Sequence, residues 1–202
     1  INFSDGTISL KKYDSLKNFS EFYPMIPYQL DLLQQVFTKI RENSSAGKHF
    51  ASGERNLLGA VQYAALEYAE KNLGILVPFQ TFYGHLDQGL DHSVRATIIK
   101  AQSTPTLQSF DVDVLKVLYL IRYLKSVPST VENITTLMLD ELDADRLKLT
   151  EDITAALDRL TKEYLVQRTG LEYLFLTNEE QDINREINHM DIPTSKMQSY
   201  IG

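Results

Sequence analysis

The sequence predicts a mainly α-helical protein whose helices fall into two groups, with one small β-hairpin in the second group. Three observations predict it. Apolar residues recur three and four apart, the spacing of a single helix face, in most stretches of the chain. Ser129/Glu132 and Thr177/Glu180 have the S/T-x-x-E spacing with which a helix start satisfies free amides reciprocally. "LVQRTGLEYLFL" reads as two short strands about a tight turn at Thr169-Gly170.

Residues 1–20 are mixed in character and form a lead-in, in which 1–9 resembles a strand with a turn at Asp5-Gly6. A helical domain follows over 21–101. Pro24 and Pro27 punctuate its entry, and 28–41 is a helix with Leu30, Leu33, Val36, Phe37 and Ile40 on one stripe. After a loop at 43–47, Ser52 is placed to cap the next helix. That helix is expected to reach about residue 72, with Leu58, Val61, Ala65 and Tyr68 inward and Gly74 ending it. The stretch "ILVPFQTFYGHLDQGL" is short helical or irregular structure, and 90–101 is helical again.

"QSTPTLQS" is a linker by composition, and the pattern changes after it. The second domain, 110–177, opens with a helix over 111–125 that turns Val114, Leu115, Leu118, Ile121 and Leu124 inward. A second helix starts at the Ser129/Glu132 box and runs to about residue 142; a third covers 150–164 with Ile153, Leu157 and Leu160 inward. Three helices followed by a hairpin is the order of a winged helix. The segment 178–202 is a C-terminal helix and tail, with Ile183, Ile187 and Met190 on a narrow apolar stripe and a frayed end.

Composition narrows the function classes. With 43% hydrophobic and 23% charged residues the chain can bury a core. A net charge of −7 rules out a whole-chain basic footprint for nucleic acid, although not a local patch. The absence of cysteine removes thiolate metal sites and disulfides and favours a cytoplasmic setting. No apolar run has the length of a bilayer span and no signal peptide is visible, so no membrane partner is expected. The chain starts at Ile1, which reads as a piece of a longer protein.

The stretch "SSAGKHFASGERNLLGAVQ" invites a nucleotide-binding reading. A phosphate loop needs G-x-x-x-x-G-K-[ST] after an apolar strand. Gly47-Lys48 has no glycine five residues earlier, His49 stands where the hydroxyl should be, and 41–45 is polar. Arg55 is a different matter: a cation in a helix's first turn opposes the dipole unless something offsets it. That partner is Glu54, solvent, or a phosphate that a guanidinium fork suits. In the winged helix, the third helix carries Glu151, Asp152, Asp158 and Glu163 against Arg159 and Lys162, and the wing offers Arg168. Those three cations are the candidate nucleic-acid contacts, but the acidic surround favours a protein contact over DNA. His49, His85, His92 and His189 lack the H-E-x-x-H arrangement, and no G-x-S-x-G nucleophile is present, so no metal or catalytic residue is assigned.

"FYPMIPYQLDLLQQVF", "AGKHFASGERNLLGAVQYA", "VPFQTFYGHLDQGLDHSVRATI" and "LEYLFLTNEEQDINREI" together resemble the region that follows the ATPase core in the large P-loop ATPases of BREX-type phage-exclusion systems, the PglY-like family. The resemblance covers most of 20–190. It implies an AAA-type parent that binds ATP and Mg, with a helical lid after the core. Such lids carry a sensor arginine in a G-x-x-R or similar turn; Gly53-Glu54-Arg55 places the arginine two residues after the glycine. The core's phosphate loop and magnesium carboxylate are absent from this sequence, so the chain itself is expected to hold no cofactor and to hydrolyse nothing. The implied partners are the rest of the ATPase and proteins of the defence system, with DNA as a weak one. The competing readings are a transcription-regulator-like DNA reader and a protein-interaction scaffold.

Overall fold

The computed structural model describes residues 2–43 and 53–189, which are mainly helical with one two-stranded antiparallel sheet. The Gly47-Lys48-His49 stretch, the Ser52 cap, Met190 and the tail lie outside the described residues. The side chains of 53–56, 88, 188 and 189, that of His189 included, lie outside them as well.

The lead-in is not a strand. It is an extended segment that turns at Gly6 (φ 89°) and is pinned to the second half of the chain. Asn133 is the fulcrum: its Oδ1 accepts from the Ser4 amide at 2.7 Å, and its Nδ2 donates to Thr7 Oγ1 at 2.9 Å and to the Pro128 carbonyl at 2.8 Å. A single backbone bond, Ile8 N–H on the Ser126 carbonyl (3.1 Å), accompanies them, too few for a ladder. A short helix that the sequence did not announce, α1 (Leu16–Phe22), follows, with Ser15 capping the Asn18 amide at 3.1 Å.

α2 (Pro27–Asn43) begins at a proline, whose missing N–H is one the first turn would leave free anyway. Leu33, Val36, Phe37 and Ile40 are buried as the periodicity requires, joined by Tyr28 and Leu32; Leu30 is half-buried. α3 (Gly53–Tyr68) is turned about its axis relative to expectation and stops four residues sooner. Its buried residues are Ala60 and Ala64, flanked by half-buried Leu57, Val61 and Tyr68; of the expected face Val61 and Tyr68 are thus half-buried, while Leu58 is 70% exposed and Ala65 is exposed. The cause is the closeness of α3 to α4 (Thr81–Leu86). A Cβ on Gly59 would lie 2.6 Å from the His85 ring, and one on Gly84 would lie 2.5 Å from the Tyr63 hydroxyl. Only small residues fit along that contact, so the alanine face goes inward and the leucine face outward.

After a 3₁₀ turn at Asp87–Gly89 comes α5 (His92–Ser103), then α6 (Ser109–Ile121), α7 (Val131–Leu137) and α8 (Arg146–Lys162). Val114, Leu115, Leu118, Ile121 and Leu124 are buried as expected. Two helix starts differ from the sequence reading. Thr130, not Ser129, caps α7 by accepting from the Asn133 amide, because Ser129 is engaged elsewhere: its amide and hydroxyl donate to the Glu172 carboxylate. α8 starts at Arg146 because Asp145 accepts from the Leu147 and Lys148 amides, each at 3.1 Å. α7 ends at Leu137 rather than near 142. The chain beyond it runs antiparallel to 74–79, with Leu76 N–H on the Asp140 carbonyl (2.7 Å), Phe79 N–H on Leu137 (2.8 Å) and Leu142 N–H on Gly74 (2.8 Å).

α8 closes without a glycine. Tyr164 takes φ 58° and the Leu165 amide bonds back to the Leu160 carbonyl at 3.0 Å. That turn aims β1 (Val166–Thr169) at β2 (Glu172–Phe175), which pair from Val166↔Phe175 to Thr169↔Glu172. The loop is therefore Gly170-Leu171, one residue later than expected, with Gly170 at φ 63°. A single antiparallel bridge, Thr130↔Glu172, adds a third chain segment at the β2 edge. α9 (Asn178–His189) starts at the Thr177/Glu180 box, whose Glu180 carboxylate accepts from the Thr177 amide at 2.8 Å.

The buried apolar side chains described in 21–101 and in 110–177 belong to one cluster, from Ile26 and Phe79 through Leu115 to Leu157 and Phe175. Among the described residues no helix is long and apolar enough to cross a membrane.

Candidate functional site

The outward face of α8 is the surface on which a reading helix would act. Its exposed residues Leu147, Glu151, Thr154, Asp158 and Lys162 fall on one stripe; Asp143, Asp145, Lys148 and Asp152 are exposed beside it, so acidic groups outnumber basic ones. An acidic stripe repels phosphates, so this face disfavours a nucleic-acid backbone.

The three candidate cations do not converge. Arg159 turns inward: Nε donates to Asp111 Oδ2 at 2.8 Å and Nη2 to Oδ1 at 2.6 Å, and the Asp111 side chain is fully buried. The hydrogen bonds to Asp111 hold the Arg159 guanidinium above its usual pKa, against a smaller opposing effect of burial. Lys162 and Arg168 do share a shallow depression with Tyr164 and Asn184. Arg168 there donates to the Gly170 carbonyl at 3.1 Å and lies 5.6 Å from the Tyr173 ring centre. Arg55 sits in the first turn of α3, and its side chain lies outside the description. His85 and His92 fall on separate helices, α4 and α5, because Asp87–Gly89 interrupts them. Among the described residues, no three His, Asp or Glu side chains are grouped as a metal ion would require.

Sequence reasoning missed two polar centres. Asp111 is one: besides Arg159, its Oδ2 accepts from the Gln108 amide at 2.9 Å, closing a capping box at the start of α6. The Q-x-x-D spacing signals the box, but nothing local signals an arginine 48 residues away. Arg122 is the other. It donates to both Glu180 oxygens (3.0 and 2.5 Å) and to the Phe175 carbonyl (3.0 Å), and lies over the Tyr123 and Phe175 rings. Burial alone would lower its pKa, and the Glu180 carboxylate reverses that. Next to it, Gln181 is buried and bridges the two halves: Oε1 accepts from Lys100 Nζ at 2.7 Å and Nε2 donates to Thr97 Oγ1 at 3.2 Å and to the Leu176 carbonyl at 3.0 Å. The start of α9 is thereby fixed to α5 on one side and to α6 and β2 on the other.

No family model matches this chain, and no solved structure matches it significantly.

Proposed function

We propose that this chain is a non-catalytic coupling module of a phage-defence ATPase: a helical lid joined to a winged helix that meets a protein partner. The ATPase assignment rests on the resemblance of the quoted stretches to the PglY-like family. In it Arg55 serves as the sensor arginine for ATP bound, with Mg, by the parent's core. The order α6–α7–α8–β1–β2, with Thr130 bridging to the hairpin edge, supports the winged helix. The observation that carries a coupling role is the double anchorage of α9 through Gln181 and Arg122, which ties the helical half to the hairpin. Movement of one half is then transmitted to the other rather than absorbed by a linker.

A protein partner is preferred to DNA because the outward face of α8 is acidic and Arg159 is committed to Asp111. In the full-length parent, Arg55→Ala is expected to lower nucleotide-dependent activity with the fold intact; unchanged hydrolysis and nucleotide affinity would remove the sensor role. Duplex binding by this chain at near-physiological salt is expected to be weak and indifferent to sequence. Tight, selective binding lost on Lys162→Ala with Arg168→Ala would favour the DNA-reader alternative instead.

A further inference from the structure

α9 leaves two large apolar side chains in water. Ile183 is 58% and Ile187 60% exposed, one helical turn apart on the same face. They rim an apolar groove of about 380 Å³ whose other wall is β2, with half-exposed Leu174 and the edge of buried Phe175, together with Tyr123 just after α6. The Arg122–Glu180 pair forms part of its lining and leaves it electrically neutral inside. Contiguous exposed apolar surface around a groove marks an interaction site rather than ordinary surface scatter.

The border of the stripe says what fits. Glu179 and Glu186 are seven residues apart, so they lie along one side of the isoleucines, and neither has an ion pair among the described residues. α9 carries Glu179, Glu180, Asp182 and Glu186 against Arg185 alone, so two copies packed through α9 would set like charges together. An i, i+4 apolar pair beside a groove matches the anchors of an amphipathic helix; the α9 flank with Glu179 and Glu186, on the side away from Lys162 and Arg168, asks for basic residues beside those anchors.

We propose that α9 and the hairpin form a docking site for an amphipathic helix of a partner protein whose apolar stripe is bordered by Lys or Arg. The inference extends the coupling-module reading by naming its partner's chemistry. The Arg55 assay does not involve α9, so failure here leaves that reading standing.

The test titrates the chain with a synthetic leucine-striped helix bordered by lysines and with its glutamate-bordered counterpart. The lysine peptide is expected to bind about tenfold tighter at low salt, with the preference shrinking as salt rises. Glu179→Lys with Glu186→Lys should reverse the preference. Ile187→Asp, at an exposed position that leaves the circular dichroism unchanged, should abolish binding. Equal binding of both peptides, binding of neither, or indifference to Ile187→Asp would overturn the proposal. So would a concentration-dependent dimer of the unliganded chain that Ile187→Asp dissociates, because the groove would then belong to a second copy.

Discussion

The Arg159 guanidinium holds the buried Asp111 carboxylate through two hydrogen bonds, 2.8 and 2.6 Å long, joining the end of α8 to the start of α6. The same carboxylate caps α6 through the Gln108 amide. One anion therefore fixes the relative placement of two helices that the sequence separates widely.

Removing the cation leaves that anion buried and half-satisfied. Breaking a buried pair costs several kcal/mol, but Arg159 is itself partly exposed, so the low end applies. Arg159→Ala is expected to destabilise the fold by about 2–3 kcal/mol in urea melts. Lys162→Ala, one turn further on and exposed, should stay within about 0.5 kcal/mol. A reversed order would mean that Arg159 contributes as a surface charge.

The Arg122–Glu180 pair makes the attachment of α9 sensitive to pH. Burial alone would raise the Glu180 carboxyl, but hydrogen bonds from Arg122 and Thr177 and the Arg122 charge outweigh it and hold it below its ordinary value. A carboxyl depressed in the folded state stabilises above its unfolded pKa and loses that stabilisation as pH falls through the folded one. Amide exchange in α9 should accordingly accelerate as pH drops below the usual glutamate range. In Glu180→Gln exchange should be faster near neutral pH, after correction for intrinsic rates, and the acid-dependent step should vanish. A step of the same size in Glu180→Gln would assign the sensitivity to another group.

The two glycines of the α3–α4 contact should respond unequally to alanine. At Gly59 the added methyl meets the half-buried His85 ring, so overpacking of about 1–3 kcal/mol outweighs the helix-propensity gain. At Gly84 it meets the hydroxyl end of Tyr63, a 40% exposed side chain that can swing outward by giving up a surface hydrogen bond with Glu67. Thermal melts should show Gly59→Ala clearly destabilised and Gly84→Ala within about 0.5 kcal/mol of the parent chain.

The face that α3 buries is testable at neighbouring positions. Leu58→Ala should change stability by no more than about 0.5 kcal/mol, because that side chain is mostly in water. Ala64→Leu forces extra methylenes against α2 and α4 and should cost about 1–3 kcal/mol. The opposite pattern would restore the face that periodicity alone suggests.

The sequence by itself determined the helical class, the buried stripes of α2, α6 and α8, the hairpin and the Thr177/Glu180 helix start. These depend on contacts within a few residues, where spacing and capping chemistry act directly. The tertiary structure alone decided which face α3 buries, since leucines at 57 and 58 offer two apolar faces and only the closeness of α4 chooses between them. It decided that Thr130 rather than Ser129 starts α7, because the competing Glu172 carboxylate arrives from a strand more than forty residues away. It decided that Arg159 faces inward and that Arg122 holds α9. A charge's partner is set by which distant elements the core brings beside it, and a linear pattern carries no record of that.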